Sequence, residues 1–137
     1  MYQQYLEFEK QYGTREEMEE AVIMKRRHQL EQDVANEPLN YDNWFDYTRL
    51  EEQAGDIDRA RDVYERAIAN KPPILEKRCW KRYIYLWLNY ALFEEVIAGS
   101  AERSGRIYEL ALSLIPHETF TFAKLWILNA QFLIRQK

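Results

Sequence analysis

With Cys79 as its only cysteine, the chain offers no partner for an intramolecular disulfide, and a fold stapled by disulfide bonds is excluded. Such sparse cysteine usage fits a reducing compartment such as cytosol or nucleus. Histidine is nearly as scarce: His28 and His117 lie far apart, neither accompanies a nucleophile motif, and one cysteine with two scattered histidines makes no zinc-ligand pattern. No two of the four glycines form a phosphate cradle or dinucleotide loop. The carboxylate pairs Glu51 with Glu52 and Glu94 with Glu95 are adjacent, and helix neighbours point about 100° apart, a poor geometry for a shared ion or an acid/base couple. Catalytic residues, cofactor and metal are therefore all predicted as none, and no small-molecule substrate is expected. Apolar runs are short as well. The longest, Tyr83 to Phe93, is closed by Arg82 and Glu94, well under the roughly 20 residues that span a bilayer. Met1 to Lys10 has no signal-peptide pattern, so no membrane partner is predicted. At a net charge of −4 with both signs interspersed, no long-range field points to nucleic acid, and the acidic balance favours protein partners.

What fills the space between the rare glycines and prolines is rich in Ala, Leu, Glu, Arg and Gln, all good helix formers. Apolar residues recur at steps of three and four, and the period-2 alternation of strands does not persist. An all-α fold follows. Within it, a pattern returns. Trp44, Tyr47, Leu50 and Glu51 reappear as Trp87, Tyr90, Phe93 and Glu94. A fainter copy reads Tyr2, Tyr5, Phe8 and Glu9, and a decayed one reads Trp126, Asn129, Phe132 and Leu133.

Each of the first three copies is followed by a glycine, Gly13, Gly55 or Gly99, suited to end a helix in the left-handed region. Asp56 is placed to cap a second helix from Arg59 to Ile68, whose counterpart runs from Arg103 to Leu112, 44 residues later. Pro72 and Pro116 close these second helices in matching positions, and Pro38 does the same after Arg27, Leu30, Glu31 and Val34. An isolated pair of short amphipathic helices cannot bury its apolar face, so the pairs are expected to stack as an α-solenoid of antiparallel helices. Trp44, Tyr47 and Leu50 should face Val63, Tyr64 and Ala67, with Ala60, Ala67, Ser104 and Ala111 marking close approach. The expected units are residues 1–38, 39–73, 74–116 and a partial 117–137.

These residues resemble the half-a-TPR (HAT) repeat, whose first helix carries a tryptophan, an aromatic and a glutamate, and whose second carries a tyrosine and a proline. Trp44, Tyr47, Glu51, Tyr64 and Pro72 match, and the 43 to 44 residue spacing fits an ordinary TPR of about 34 poorly. Longer stretches, Asn40 to Tyr47, Tyr64 to Asn70, Pro72 to Leu92 and Leu114 to Lys137, resemble the crooked neck family of splicing factors. That resemblance implies a non-catalytic spliceosomal scaffold, associated with the NineTeen-related assembly, in the nucleus, with spliceosomal proteins as partners. It also implies a much longer array, of which this chain reads as a fragment. The departures are Asn129 and Leu133 for tyrosine and glutamate, and Ser104 and Gly105 for alanine and arginine, so the third interface is expected to differ. Gly105 inside a helix should cost about 1 kcal/mol against alanine unless packing needs a bare backbone there.

The repeat-core residues are accordingly Trp44, Tyr47, Glu51, Tyr64, Pro72, Trp87, Tyr90, Glu94, Tyr108, Pro116 and Trp126. Glu51 and Glu94 are expected to bond groups of an adjoining helix or turn. Lys77, Arg78, Lys81 and Arg82 fall on one side of a helix and are the candidate contact for a partner or for RNA, the alternative being a solvated face in which Glu76 offsets part of the charge. Lys25, Arg26 and Arg27 form a second such cluster. A scaffold acting through protein contacts and a HAT module binding RNA directly, or serving another RNA-processing complex, are the two functional readings.

Overall fold

The computed structural model describes residues 14–137; the faint first copy and the turn at Gly13 lie outside them. Among the described residues there are six α-helices and no strand: α1 Arg15–Asn36, α2 Tyr41–Ala54, α3 Ile57–Ile68, α4 Lys77–Leu92, α5 Ala101–Leu114 and α6 Ala123–Arg135. None is long and apolar enough to cross a membrane. The starts of α1, α3 and α5 are capped by the hydroxyl or carboxylate the sequence supplies there. Thr14 Oγ1 accepts from the Glu17 amide at 3.1 Å, Asp56 Oδ1 from Arg59 at 3.1 Å, and Ser100 Oγ from Arg103 at 3.3 Å. The turns after the tryptophan-bearing helices are made by Gly55 at φ 83° and Gly99 at φ 71°, both in the left-handed region.

The first helices of the repeat align at a spacing of 43 and the second helices at 44, so one extra residue sits between Glu95 and Gly99. The chain takes it up as a π-helical segment, Phe93–Ile97, where the Ala98 amide donates to the Phe93 carbonyl five residues back at 2.9 Å. Glu94 and Glu95 thereby keep the register of Glu51 and Glu52, and the turn at Gly99 is still reached.

Helices pack in sequence order, α2 on α3 and α4 on α5 within pairs, and α1 on α2, α3 on α4 and α5 on α6 between pairs. Ala60, Ala67, Ser104 and Ala111 are fully buried, as close helix approach demands. The Ser104 hydroxyl donates to the Ala91 carbonyl at 2.8 Å, which satisfies it inside the core. Tyr64 stacks on Tyr90 at 4.9 Å and tilts against Phe93 at 5.4 Å and 38°; Tyr108 meets Phe132 in the same way, at 5.3 Å and 40°. The aromatic register is thus common to the α3–α4 and α5–α6 junctions.

The tryptophans correct the sequence expectation in two ways. Trp44, Trp80 and Trp126 are each the fourth residue of their helix, and each indole N–H reaches back to the incoming loop: to the Pro38 carbonyl at 2.8 Å, the Ile74 carbonyl at 3.0 Å and Thr121 Oγ1 at 2.9 Å. In α2 one residue occupies both this position and the one seven residues before the buried glutamate. Helix α4 starts two turns further from its glutamate, so Trp80 takes the loop and Trp87 keeps the repeat position. Trp80, which the repeat pattern did not single out, is wholly buried; Trp87 is buried with its indole N–H unpartnered. Trp126 is not a core residue: it stands 48 % exposed, against the His117 ring at 5.3 Å. Leu125 and Phe132 form the buried stripe of α6, and Trp126 lies one position, about 100°, around the helix from it.

Candidate partner-binding surface

Most charged side chains that are not on the surface are used to join consecutive helix pairs. Arg27 of α1 grips Glu51 of α2 through Nε at 2.8 Å and Nη2 at 2.7 Å. Arg61 of α3 grips Glu94 through Nε and Nη2, both at 2.9 Å. The two carboxylates are 1 % and 0 % exposed, and each is met there by a guanidinium fork. Four residues along, the same faces are joined again: the Tyr47 hydroxyl donates to Glu31 at 2.5 Å and the Tyr90 hydroxyl to Glu65 at 2.6 Å. An arginine and glutamate four apart on one helix therefore face a tyrosine and glutamate four apart on the next.

Electrostatics follow this geometry. The Glu51 hydrogen bonds push the Arg27 guanidinium above its ordinary range, and those of Glu94 do the same to Arg61. Arg66, bonded to Glu31 at 2.5 and 2.9 Å and lying over the Trp44 ring at 5.6 Å, holds the Glu31 carboxyl below its ordinary value. Burial, followed by the bond to Glu31, pushes Tyr47 up to about 12. The cluster Lys25, Arg26, Arg27 is consequently not one unit: Arg27 is spent in the interface, and Lys25 and Arg26 are exposed.

At the α5–α6 junction the counterparts of Arg61 and Glu94 are Gly105 and Leu133, and that of Tyr90 is Asn129. The ring of Phe132 approaches the bare backbone of Gly105, where an added Cβ would meet it at 3.5 Å. Arg135 instead clamps Glu95 at 2.8 and 2.7 Å. In the preceding pair the equivalent of Glu95, Glu52, accepts from the Tyr64 hydroxyl at 2.5 Å; with Glu95 turned to Arg135, the buried Tyr108 hydroxyl has no partner.

The remaining cations lie elsewhere. Lys77, Arg78 and Lys81 line a groove of about 560 Å³ between α4 and the start of α6, completed by Lys124, Tyr85 and Phe122. Arg82, grouped with them by sequence, leaves this surface and pairs with Asp42 of α2. Arg78 bonds Glu76 at 2.7 Å. Lys77 Nζ sits 5.4 Å over the Phe122 ring and Lys124 Nζ 4.9 Å over the Tyr85 ring. The contribution of α6 was not foreseen. Its one signal in the sequence is a basic first turn, found in both α4 and α6, where helices ordinarily place acids. The histidines are held locally: His117 Nε2 lies 2.6 Å from the Leu112 carbonyl and Nδ1 2.6 Å from Thr121 Oγ1, and His28 pairs with Gln32 at 3.2 Å.

Residues 25–137 match the family described as pre-mRNA-splicing factor Syf1/CNRKL1 N-terminal HAT repeat. Across its whole length the chain is 56 % identical to crooked neck-like protein 1 of Homo sapiens and to protein crooked neck of Drosophila melanogaster. The chain belongs to the crooked neck family of HAT-repeat proteins. It is also 55 % identical over 136 residues to pre-mRNA-splicing factor CLF1 of Paracoccidioides brasiliensis. It covers 16 % of the human relative and 20 % of the other two, about a fifth of their length. The family's helical-repeat fold accounts for the stacked pairs, and the Arg–Glu and Tyr–Glu contacts show how this member joins them.

Proposed function

We propose that this chain is part of a non-catalytic scaffold for pre-mRNA splicing, working in the nucleus through contacts with spliceosomal proteins of the NineTeen-related assembly. The observation that carries the reading is the identity of 55 to 56 % to relatives named as crooked neck proteins and a pre-mRNA-splicing factor. The arrangement of charge supports it. Glu51 and Glu94, the fully buried carboxylates among the described residues, are bonded to arginines across helix interfaces, so these charged groups join the helices of a stack and do not converge on a reacting centre. Such a stack holds binding surfaces at fixed separations, and its contribution to splicing is positioning.

The test is purification of the tagged full-length protein from nuclear extract, with immunodepletion of the same extract. The expected result is co-purification of spliceosomal proteins and loss of splicing that added protein restores. Recovery without spliceosomal proteins, together with undiminished splicing after depletion, would contradict the reading.

A further inference from the structure

We propose that the groove between α4 and α6 is a docking site for an acidic peptide segment with an apolar anchor, carried by a protein partner; this rests on the scaffold reading. Lys77, Arg78, Lys81 and Lys124 line the groove, no carboxylate does, and Glu76 engages only Arg78. A concentration of four cations in a protein of net charge −4 is a local feature that only an acidic ligand complements.

Two helices begin here, α4 and α6, and neither has a side chain capping its first amides or an acid in its first turn. The other four helices each carry an acid there. At α4 the cap residue Glu76 turns its carboxylate to Arg78 and caps no amide, and at α6 the cap residue is Phe122, so the positive end of α6 adds to the lysines with no acid opposing it. Beneath the cations lies an apolar floor of Ile84, Leu88 and Leu125, able to receive an aliphatic or aromatic side chain.

The aromatic rings of the groove favour peptide over RNA. Nucleic acid would need the aromatic faces free for base stacking. Here one face of Phe122 is covered by Lys77 and one face of Tyr85 by Lys124, so the rings steer the ammonium groups. A carboxylate-bearing chain with an anchor between its acids fits that disposition.

Fluorescence anisotropy with the full-length protein tests this, using three labelled probes: a peptide alternating acids with one central phenylalanine, the same peptide with alanine at the centre, and a uridine oligomer of equal charge. The expected result is salt-sensitive binding of the first, weaker binding of the second, and little of the third. Combined Lys77→Glu, Lys81→Glu and Lys124→Glu, all at exposed positions, should weaken the first probe by about tenfold or more, while Lys25→Glu with Arg26→Glu should change it less than about twofold. Circular dichroism melts confirm that each variant folds. Absence of peptide binding at low salt, equal loss in both variants, or preference for the uridine oligomer would overturn the proposal. If wild-type protein recovers spliceosomal proteins yet no peptide binds the groove, this inference fails alone and the scaffold reading stands.

Discussion

The junctions of α1 with α2 and of α3 with α4 are sealed by a buried guanidinium–carboxylate pair, whereas the junction of α5 with α6 is sealed by a ring. In the first two, an arginine reaches from a second helix to a glutamate that is essentially solvent-free. In the third, glycine and leucine stand at those two positions, Phe132 lies against Gly105, and a half-exposed arginine compensates from the rim by clamping Glu95. Both members of the pair are absent together. Physical chemistry explains why the loss is paired: the glutamate alone in that interior would be an uncompensated buried charge and the arginine alone would lose its only buried partner, while replacing both leaves neither. The tilted Tyr–Phe contact, kept at 5.4 and 5.3 Å, shows that register survives without the ion pair.

The largest effects of substitution fall on the junctions sealed by guanidinium–carboxylate pairs. Arg61→Ala leaves Glu94 buried without its partner and should cost about 3 to 5 kcal/mol, whereas Arg135→Ala, at a rim where the arginine is half-exposed and Glu95 still touches water, should cost clearly less. Chemical denaturation of both variants measures the contrast. Similar magnitude attaches to the tryptophans: Trp80→Ala should cost about 3 to 5 kcal/mol, and Trp126→Ala clearly less because much of its ring already faces water. Equal losses would refute the assignment of Trp126 to the surface.

Smaller effects sharpen the third junction. Gly105→Ala places its Cβ at ordinary contact distance from Phe132 and should stabilise by about 0.5 to 1 kcal/mol through helix propensity alone. A fall in melting temperature would mean that Phe132 needs the bare backbone. The pH dependence is subtler still. Arg66 lowers Glu31 and Arg135 lowers Glu95, both below the ordinary 4.5, so their contribution is complete above that value and is lost as pH falls through the depressed folded values. Melting temperature from about pH 6 down to about pH 3 should decline, less steeply in Arg135→Ala than in the parent because Glu95 no longer adds to it. An unchanged slope would detach Glu95 from the stability of this junction.

Much of this was legible before the structure. The left-handed turns at Gly55 and Gly99, the cap at Asp56, the small residues at helix contacts and the bonding of Glu51 and Glu94 to adjoining helices all follow from local rules applied to a repeating pattern. What was not legible depends on tertiary partners. Arg27 looks like part of a surface cluster until α2 brings Glu51 beside it, and Arg82 is separated from Lys77, Arg78 and Lys81 only by where Asp42 lies. Trp80 escaped notice because the extra turns of α4 divide between two residues what Trp44 does alone. Trp126 keeps the tryptophan of a copy that has otherwise lost its tyrosine and glutamate, and the buried stripe of α6 runs through Leu125 and Phe132 instead. The π turn was written in the change of spacing from 43 to 44, a signal that reads as a loop insertion until the glutamates are required to stay in register.

The most direct test of the account is a double-mutant cycle at the α3–α4 junction, combining Arg61→Met with Glu94→Leu and following denaturant unfolding. Arg61→Met should cost about 3 kcal/mol by stranding the buried Glu94, Glu94→Leu clearly less because Arg61 reaches water, and the double variant should lie within about 1 kcal/mol of the parent, because no buried charge is left unpaired. Additive losses in the double variant would contradict it.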